Sequence, residues 1–292
     1  MFQIIGFFVV CVLVGIGLVA TGAEGVLAAL PFELSLIGGA ALGTLMIGNS
    51  GEVTRAALIG LYQAVRGSRW QAQDYASLLG VMGELSRRIR RGGYISIEDD
   101  LEDPVASKLF QSAKQLQYDR AALDLICDAL RLCALDPSNP QRALEQMDRS
   151  IEQSVARRMR SVGALQTVAD ALPALGIVAA VLGIIKTMTA IDAPSAAVGA
   201  MVASALLGTF LGVFLSYGLV GPLANRFGQV VEEESTALDV IRTFLVQYIS
   251  GASPQAASDV ARACIPKHAQ PNLESLEIAS ERVRFSAAAN AA

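Results

Sequence analysis

The sequence predicts an all-α membrane protein with four transmembrane helices and a large helical cytoplasmic insertion between the second and third. Three observations carry this prediction. Of 292 residues, 53% are hydrophobic and only 17% charged, against about 25% charged in soluble domains. Four apolar runs approach the roughly 20 residues that a helix needs to cross a hydrocarbon core about 30 Å thick. Finally, the 23 Lys and Arg residues avoid the two short connections between those runs.

The first run covers residues 2–21. It is apolar at once, with no basic stretch ahead of it and no cleavage signal before Gly22, so it reads as a retained span. The second covers 31–47, is short and rich in glycine, and carries Glu33 at its start. The third and fourth cover 172–191 and 198–219. Residues 22–33 and 192–199 contain no Lys or Arg, whereas 51–169 contain sixteen and the stretch beyond Pro222 six. Basic residues mark the cytoplasmic side. Both short loops are therefore expected outside, and both termini and the insertion inside. The expected domains are a hairpin of spans at 1–50, a cytoplasmic domain at 51–169, a second hairpin at 170–222 and a cytoplasmic helix with its tail at 223–292.

The insertion reads as helical throughout. One amphipathic run covers 71–91 and stops at Gly92-Gly93; a second covers 120–135 and closes at Asp136-Pro137. A third opens at Pro140, with Leu144, Met147, Ile151, Val155, Met159 and Val162 forming one apolar stripe. No strong breaker parts it from the third span, so it is expected to continue out of the membrane as a rod. The tail after Gly251 shows one amphipathic patch at 273–283 and an alanine-rich end expected to be disordered.

Other chemistry finds little support. The net charge of −4 and the dispersed basic residues give no nucleic-acid surface. Cys11, Cys127, Cys133 and Cys264 match no zinc spacing, and the sole histidine, His268, is remote from them. The thiols read as reduced and inert, and no cofactor is implied. There is no phosphate-binding glycine loop or nucleophile elbow, so the chain does not read as an enzyme.

Small residues line the last two spans. Ala200, Ser204, Gly208, Gly212 and Ser216 recur every four residues in the fourth; Gly176, Ala180, Gly183 and Thr187 do so, at nearly the same spacing, in the third. Such stripes let helix backbones approach closely. They suit a tight bundle without a pore as well as a groove for another helix. The polar inventory bears on that choice. Asp170 is placed at the inner start of the third span, Lys186 near its outer end, Asp192 outside and Glu33 near the outer surface. Ser204 and Thr209 offer hydroxyls that do not titrate. With no carboxylate expected at mid-membrane, either the chain moves no ions or a partner helix brings the titratable group. Pro173 either starts the third span or kinks a longer helix, and Pro222, after Gly221, stops or bends the fourth.

These residues resemble a known family. The stretch 170–183, DALPALGIVAAVLG, followed by Gly208-Thr-Phe-Leu-Gly212, Tyr217-Gly218 and Gly221-Pro222, is similar to the MotA family of bacterial flagellar stator subunits, and the likeness covers nearly the whole chain. The resemblance implies a ring of several copies around two copies of a MotB-type single-span partner that carries a membrane aspartate. It implies proton flow that drives torque on the rotor protein FliG. By position it implies that Ala180, Thr209 and Tyr217 line the ion path, with Asp170 at its inner exit. Pro173 and Pro222 would couple the spans to the cytoplasmic domain, and Arg90 and Glu98 would meet the rotor. On composition alone those two belong to a solvated helix end whose charges pair with one another. Lys186 could face the path or snorkel to the headgroups. The related ExbB and TolQ class has three spans, against which the two spans before the insertion count. A sodium-driven stator and a non-conducting scaffold share the same plan.

Overall fold

The computed structural model describes residues 2–20 and 29–288. Its helices are α1 (Phe2–Ala20), α2 (Leu30–Gly48), α3 (Gly51–Arg66), α4 (Ala72–Gly92), α5 (Glu98–Glu102), α6 (Lys108–Gln111), α7 (Lys114–Tyr118) and α8 (Arg120–Leu135). They continue as α9 (Gln141–Thr189), α10 (Ser195–Val213), α11 (Gly221–Ile249), α12 (Pro254–Ala263) and α13 (Leu273–Ala288). A 3₁₀ turn at Tyr94–Ile97 and a π-helical segment at Phe214–Val220 complete the list. There is no strand among the described residues, and four helical stretches are long and apolar enough to cross a membrane. The chain divides into two compact units: Met1–Gly67 with Arg158–Val230, and Ser68–Arg157 with Val231–Ala292.

Two helices run on past their prolines. The amphipathic stripe after Pro140 and the third span form one helix of 49 residues with Pro173 inside it, which settles Pro173 as an interior proline. The fourth span begins at Ser195, and the helical path continues past Pro222 to Ile249. The tail holds a helix that its Ala, Ser and Pro content concealed: Ser253 accepts a hydrogen bond from the Ala256 amide at 3.1 Å and opens α12. Residues 21–28 of the expected outer loop, and 289–292 of the expected disordered end, lie outside the described residues.

The first unit is organised around α9 and α10. A Cβ placed on Gly176 would lie 2.7 Å from the Gly208 carbonyl and 2.9 Å from the Gly212 Cα. One placed on Gly212 would lie 2.6 Å from the Leu172 carbonyl. Farther along, a Cβ on Gly183 would lie 2.6 Å from that of Ala205. The two small-residue stripes therefore face each other, backbone on backbone, and van der Waals packing at this range holds helices together in lipid. A second close approach sets α3 on α11, where Gly60 leaves room for the Phe227 ring and any side chain would collide with it.

The second unit is a helical assembly around its own apolar core. Tyr75, Leu78, Leu79, Met82 and Leu85 of α4 are buried with Phe110, Leu116, Ile126 and Phe244. Each such side chain contributes roughly 1.5–3 kcal/mol by leaving water. The C-terminal α13 lies against α4, where a Cβ on Gly80 would sit 3.3 Å from Val283 and 3.4 Å from the Ala279 carbonyl. Gly93, at φ 70°, ends α4 in the left-handed region as its glycine pair predicts. Polar contacts fix the rim: the Trp70 indole donates to Asp119 at 3.0 Å, and Arg242 grips Asp148 with both Nε and Nη2.

Two predictions follow from these contacts. Gly212→Val meets backbone atoms that cannot move aside and is expected to destabilise the membrane unit by about 1–3 kcal/mol, read as a lower melting temperature in detergent, whereas Gly163→Ala, inside α9 with nothing within 4 Å of its Cβ, should stabilise it by about 0.5–1 kcal/mol. The Arg242 hydrogen bond holds the Asp148 carboxyl below its ordinary range. A depressed carboxylate stabilises the fold above its unfolded pKa and loses that effect as pH falls through the folded one. With both side chains over 40% exposed, Asp148→Asn should lower stability at pH 7 by only about 0–1 kcal/mol. The difference from wild type should fade below about pH 4, and thermal melts at both pH values measure it.

Candidate ion pathway and coupling site

The α9–α10 seam decides where the predicted path residues go. Ala180 is buried in it, 7% exposed, beside Gly208, whose built Cβ would lie 3.2 Å from the Ala180 amide nitrogen. Thr209 is half-buried and starts a different face of α10. On that face Leu206, Phe210, Val213 and Tyr217 are exposed, Tyr217 by 73%. The groove of small residues expected to receive a partner helix is thus largely filled within the chain by α9. Beside it the Thr209–Tyr217 face is apolar and exposed, as are Ile177, Val178, Val181 and Leu182 on α9. Lys186 is exposed.

The two prolines mark one end of this helix pair. Pro173 has no N–H, so the Ala169 carbonyl loses its usual partner within α9. On the other chain segment, Pro222 follows a π-helical stretch in which the Gly221 amide bonds the Ser216 carbonyl, five residues back. The wider turn absorbs a residue that cannot donate, which is why the helix bends through Pro222 instead of stopping. A Cβ on Gly221 would lie 4.0 Å from that of Ala169, and Gly212 sits against Leu172. Both disturbed turns therefore adjoin each other, with Asp170 exposed beside them. Only the proline pointed to this π segment in the sequence; its length and placement had no signal.

Glu33 overturns an expectation. It lies in the first turn of α2, yet it is only 4% exposed, and a Cβ on Gly208 would lie 3.2 Å from its Oε2. Gly208 is the fourteenth residue of α10, about 20 Å along the axis from Ser195 at 1.5 Å per residue. The Glu33 carboxyl thus sits deep in the bundle, not near the outer surface, because α2 starts well below the end of α10.

In the second unit, Arg90 and Glu98 are both exposed and make no ion pair with each other. Arg90 donates to the Ala252 carbonyl at 2.6 Å and lies over the Tyr248 ring, 5.7 Å from its centroid. Its neighbours pair off: Arg87 with Glu84 at 2.9 Å, Arg88 with Asp100 at 2.8 Å. The partners of Arg90 lie about 160 residues away in sequence, where no local spacing could reveal them. All four thiols are free, and burial pushes Cys127 up to about 12. Among the described residues no group of His, Cys, Asp and Glu is placed to hold a metal ion.

A four-span helical membrane protein, whose paired glycine helices run on into longer helices, is the class this architecture defines. Comparison with known proteins narrows it. Residues 4–93 match the model of the motility protein A N-terminal region, and residues 100–240 that of the MotA/TolQ/ExbB proton channel family. The chain is 34% identical over 279 residues to motility protein A of Salmonella typhimurium, covering 95% of this chain and 94% of that one. It is equally similar to the Escherichia coli protein of that name, and 32% identical over 85% of its length to the chemotaxis protein LafT of Vibrio parahaemolyticus. Its fold matches a chain of the MotAB structure from C. jejuni, with a TM-score of 0.66 at 18% identity over 90% of this chain and 95% of that one. The Bacillus subtilis MotAB stator complex gives 0.61, over 88% and 92%. The chain belongs to the MotA/TolQ/ExbB proton channel family, on its motility protein A branch.

Arg90→Ala removes the hydrogen bond to Ala252 and the stacking on Tyr248. It is expected to cost the second unit about 1 kcal/mol, seen as faster amide exchange around residues 248–252.

Proposed function

We infer that this chain is a stator subunit of the bacterial flagellar motor, which with a MotB-type partner turns proton flow into torque. The observation that carries this is identity of 34% along 95% of the chain to motility protein A, spans and cytoplasmic helices alike. The N-terminal match over residues 4–93, which contains two spans ahead of the insertion, favours this branch over an ExbB or TolQ arrangement.

Several copies surround two copies of the partner in the inner membrane, with both termini in the cytoplasm, as the placement of basic residues supports. The partner's single span packs on the exposed Thr209–Tyr217 face, where its aspartate takes up and releases the proton. Each charge crossing 100 mV releases about 2.3 kcal/mol. Ala180 backs the path from the α9–α10 seam and Asp170 stands at its inner exit. The adjoining turns at Pro173 and Pro222, each short of a backbone donor, are the soft points at which the helix pair bends as the aspartate changes charge. In the cytoplasm Arg90 and Glu98, exposed and not spent on each other, meet the rotor protein FliG.

Co-expression with the partner, its channel plug opened, tests the reading. An external pH drop should acidify the cell interior, and replacing the partner's membrane aspartate by asparagine should abolish the effect. Sodium influx instead would change the ion, and silence for both ions with an intact complex would leave a scaffold. Thr209→Asp should stop motility while the complex still assembles; normal swimming would remove the partner from that face. Arg90→Glu should impair torque, with partial recovery on charge reversal in the rotor. Because Arg90 also holds Ala252, the comparison is with Arg90→Ala: a purely structural role gives both variants the same defect and no recovery.

A further inference from the structure

Glu33 has no role in the reading above, yet its setting is unusual. It is 4% exposed, and its Oε2 has no hydrogen-bond partner. Three helices enclose it: α2, which carries it, α9 at Ala179 and Ala180, and α10 at Gly208. The room comes from the glycine, since a Cβ at 208 would lie 3.2 Å from the carboxyl oxygen and 3.1 Å from Ala179. No opposing charge faces it. Asp170 and Lys186 are exposed and lie ten and six residues along α9 from Ala180, about 15 and 9 Å of rise. On α2 the Ser35 hydroxyl is committed to the Pro31 carbonyl at 2.7 Å. An ionised carboxylate without water or partner costs several kcal/mol in such surroundings, and the neutral acid far less. Ionisable groups buried in spans commonly mark proton relays.

We propose that Glu33 is a proton-binding site inside the bundle, loaded in this arrangement and emptied when α2 and α10 part at Gly208. In that step the O–H bond of the acid breaks, its proton passes to a water molecule entering the gap, and the carboxylate stays behind. Water then returns a proton and the helices close. The site is defined by its own geometry; its use in transport rests on the proton-driven reading above.

The test uses the full chain with its partner in liposomes, examined by infrared difference spectroscopy and by proton flux. Wild type should show a carboxylic-acid carbonyl band at neutral pH that disappears in Glu33→Gln and bleaches as pH rises. Gly208→Ala, which keeps the acid but crowds it, should shift that band. Proton flux should fall severalfold in Glu33→Gln, an isosteric change that preserves packing. A carboxylic-acid carbonyl region unchanged in Glu33→Gln, with carboxylate bands lost instead, would mean that the carboxyl is ionised and would overturn the site. An acid band that never bleaches, with unaltered flux, would reduce Glu33 to a fixed neutral packing group and overturn its emptying. A wild-type complex without flux but with a titrating Glu33 band would sink the proton-driven stator and leave the binding site standing.

Discussion

Contact between the backbones of α9 and α10 is the constraint on which the membrane unit depends. Lipid offers no hydrophobic gain for pressing two apolar helices together, so affinity must come from close packing. Gly176, Gly183, Gly208 and Gly212 supply it by removing every atom that would hold the helices apart. Once the seam is made, other placements follow from it. Ala180 is enclosed, Glu33 is drawn into the space beside Gly208, and Leu172 and Gly212 set the two proline turns alongside each other. What remains of α10 is a face of larger side chains from Leu206 to Tyr217. That face, unlike the glycine stripe, stays exposed.

Much of this architecture was legible in the order of residues, and the limits are physical. Length and apolarity identify a span because the hydrocarbon core has a fixed thickness. Glycine-pair and Asp-Pro stops mark α4 and α8 because they act locally, through φ and a missing donor. Periodicity along one helix cannot say which neighbour its face meets. The stripes on α9 and α10 were visible, but their pairing with each other was not. Depth misled for the same reason. Glu33 stands first in its span by sequence, and only tertiary packing places that first turn about 20 Å along α10. Short helices from 94 to 118 and α12 lack the length to show a period, and only their caps, such as Ser107 and Ser253, announce them.

Proline raises the backbone accounting that lipid enforces. A carbonyl without a donor in hydrocarbon costs several kcal/mol unless another group or a changed helical register serves it. The chain meets that demand differently at its two prolines. On α9 the helix keeps its course through Pro173. Before Pro222 it widens to a π register over seven residues. Widened turns are less favourable than α-helix and persist where surrounding contacts or function hold them. Here Gly221 beside Ala169 and Val10 near Gly218 hold this one in place.

A different economy governs the charged end of α4. Glu84, Arg87, Arg88 and Asp100 form a compact set of ion pairs, with Ser107 donating to Asp100 at 2.6 Å. These part-buried charges neutralise one another and so remove themselves as long-range attractors. Arg90 is left outside the set. It spends one guanidinium nitrogen on the Ala252 carbonyl and rests a face on Tyr248, contacts that orient the group without cancelling its charge. A cation held in a fixed direction by neutral partners is better suited to meeting an opposing charge on another molecule than one already inside an ion pair. The physical distinction between Arg90 and Arg88, two residues apart, is therefore that Arg88 sits in an ion pair and Arg90 among neutral partners.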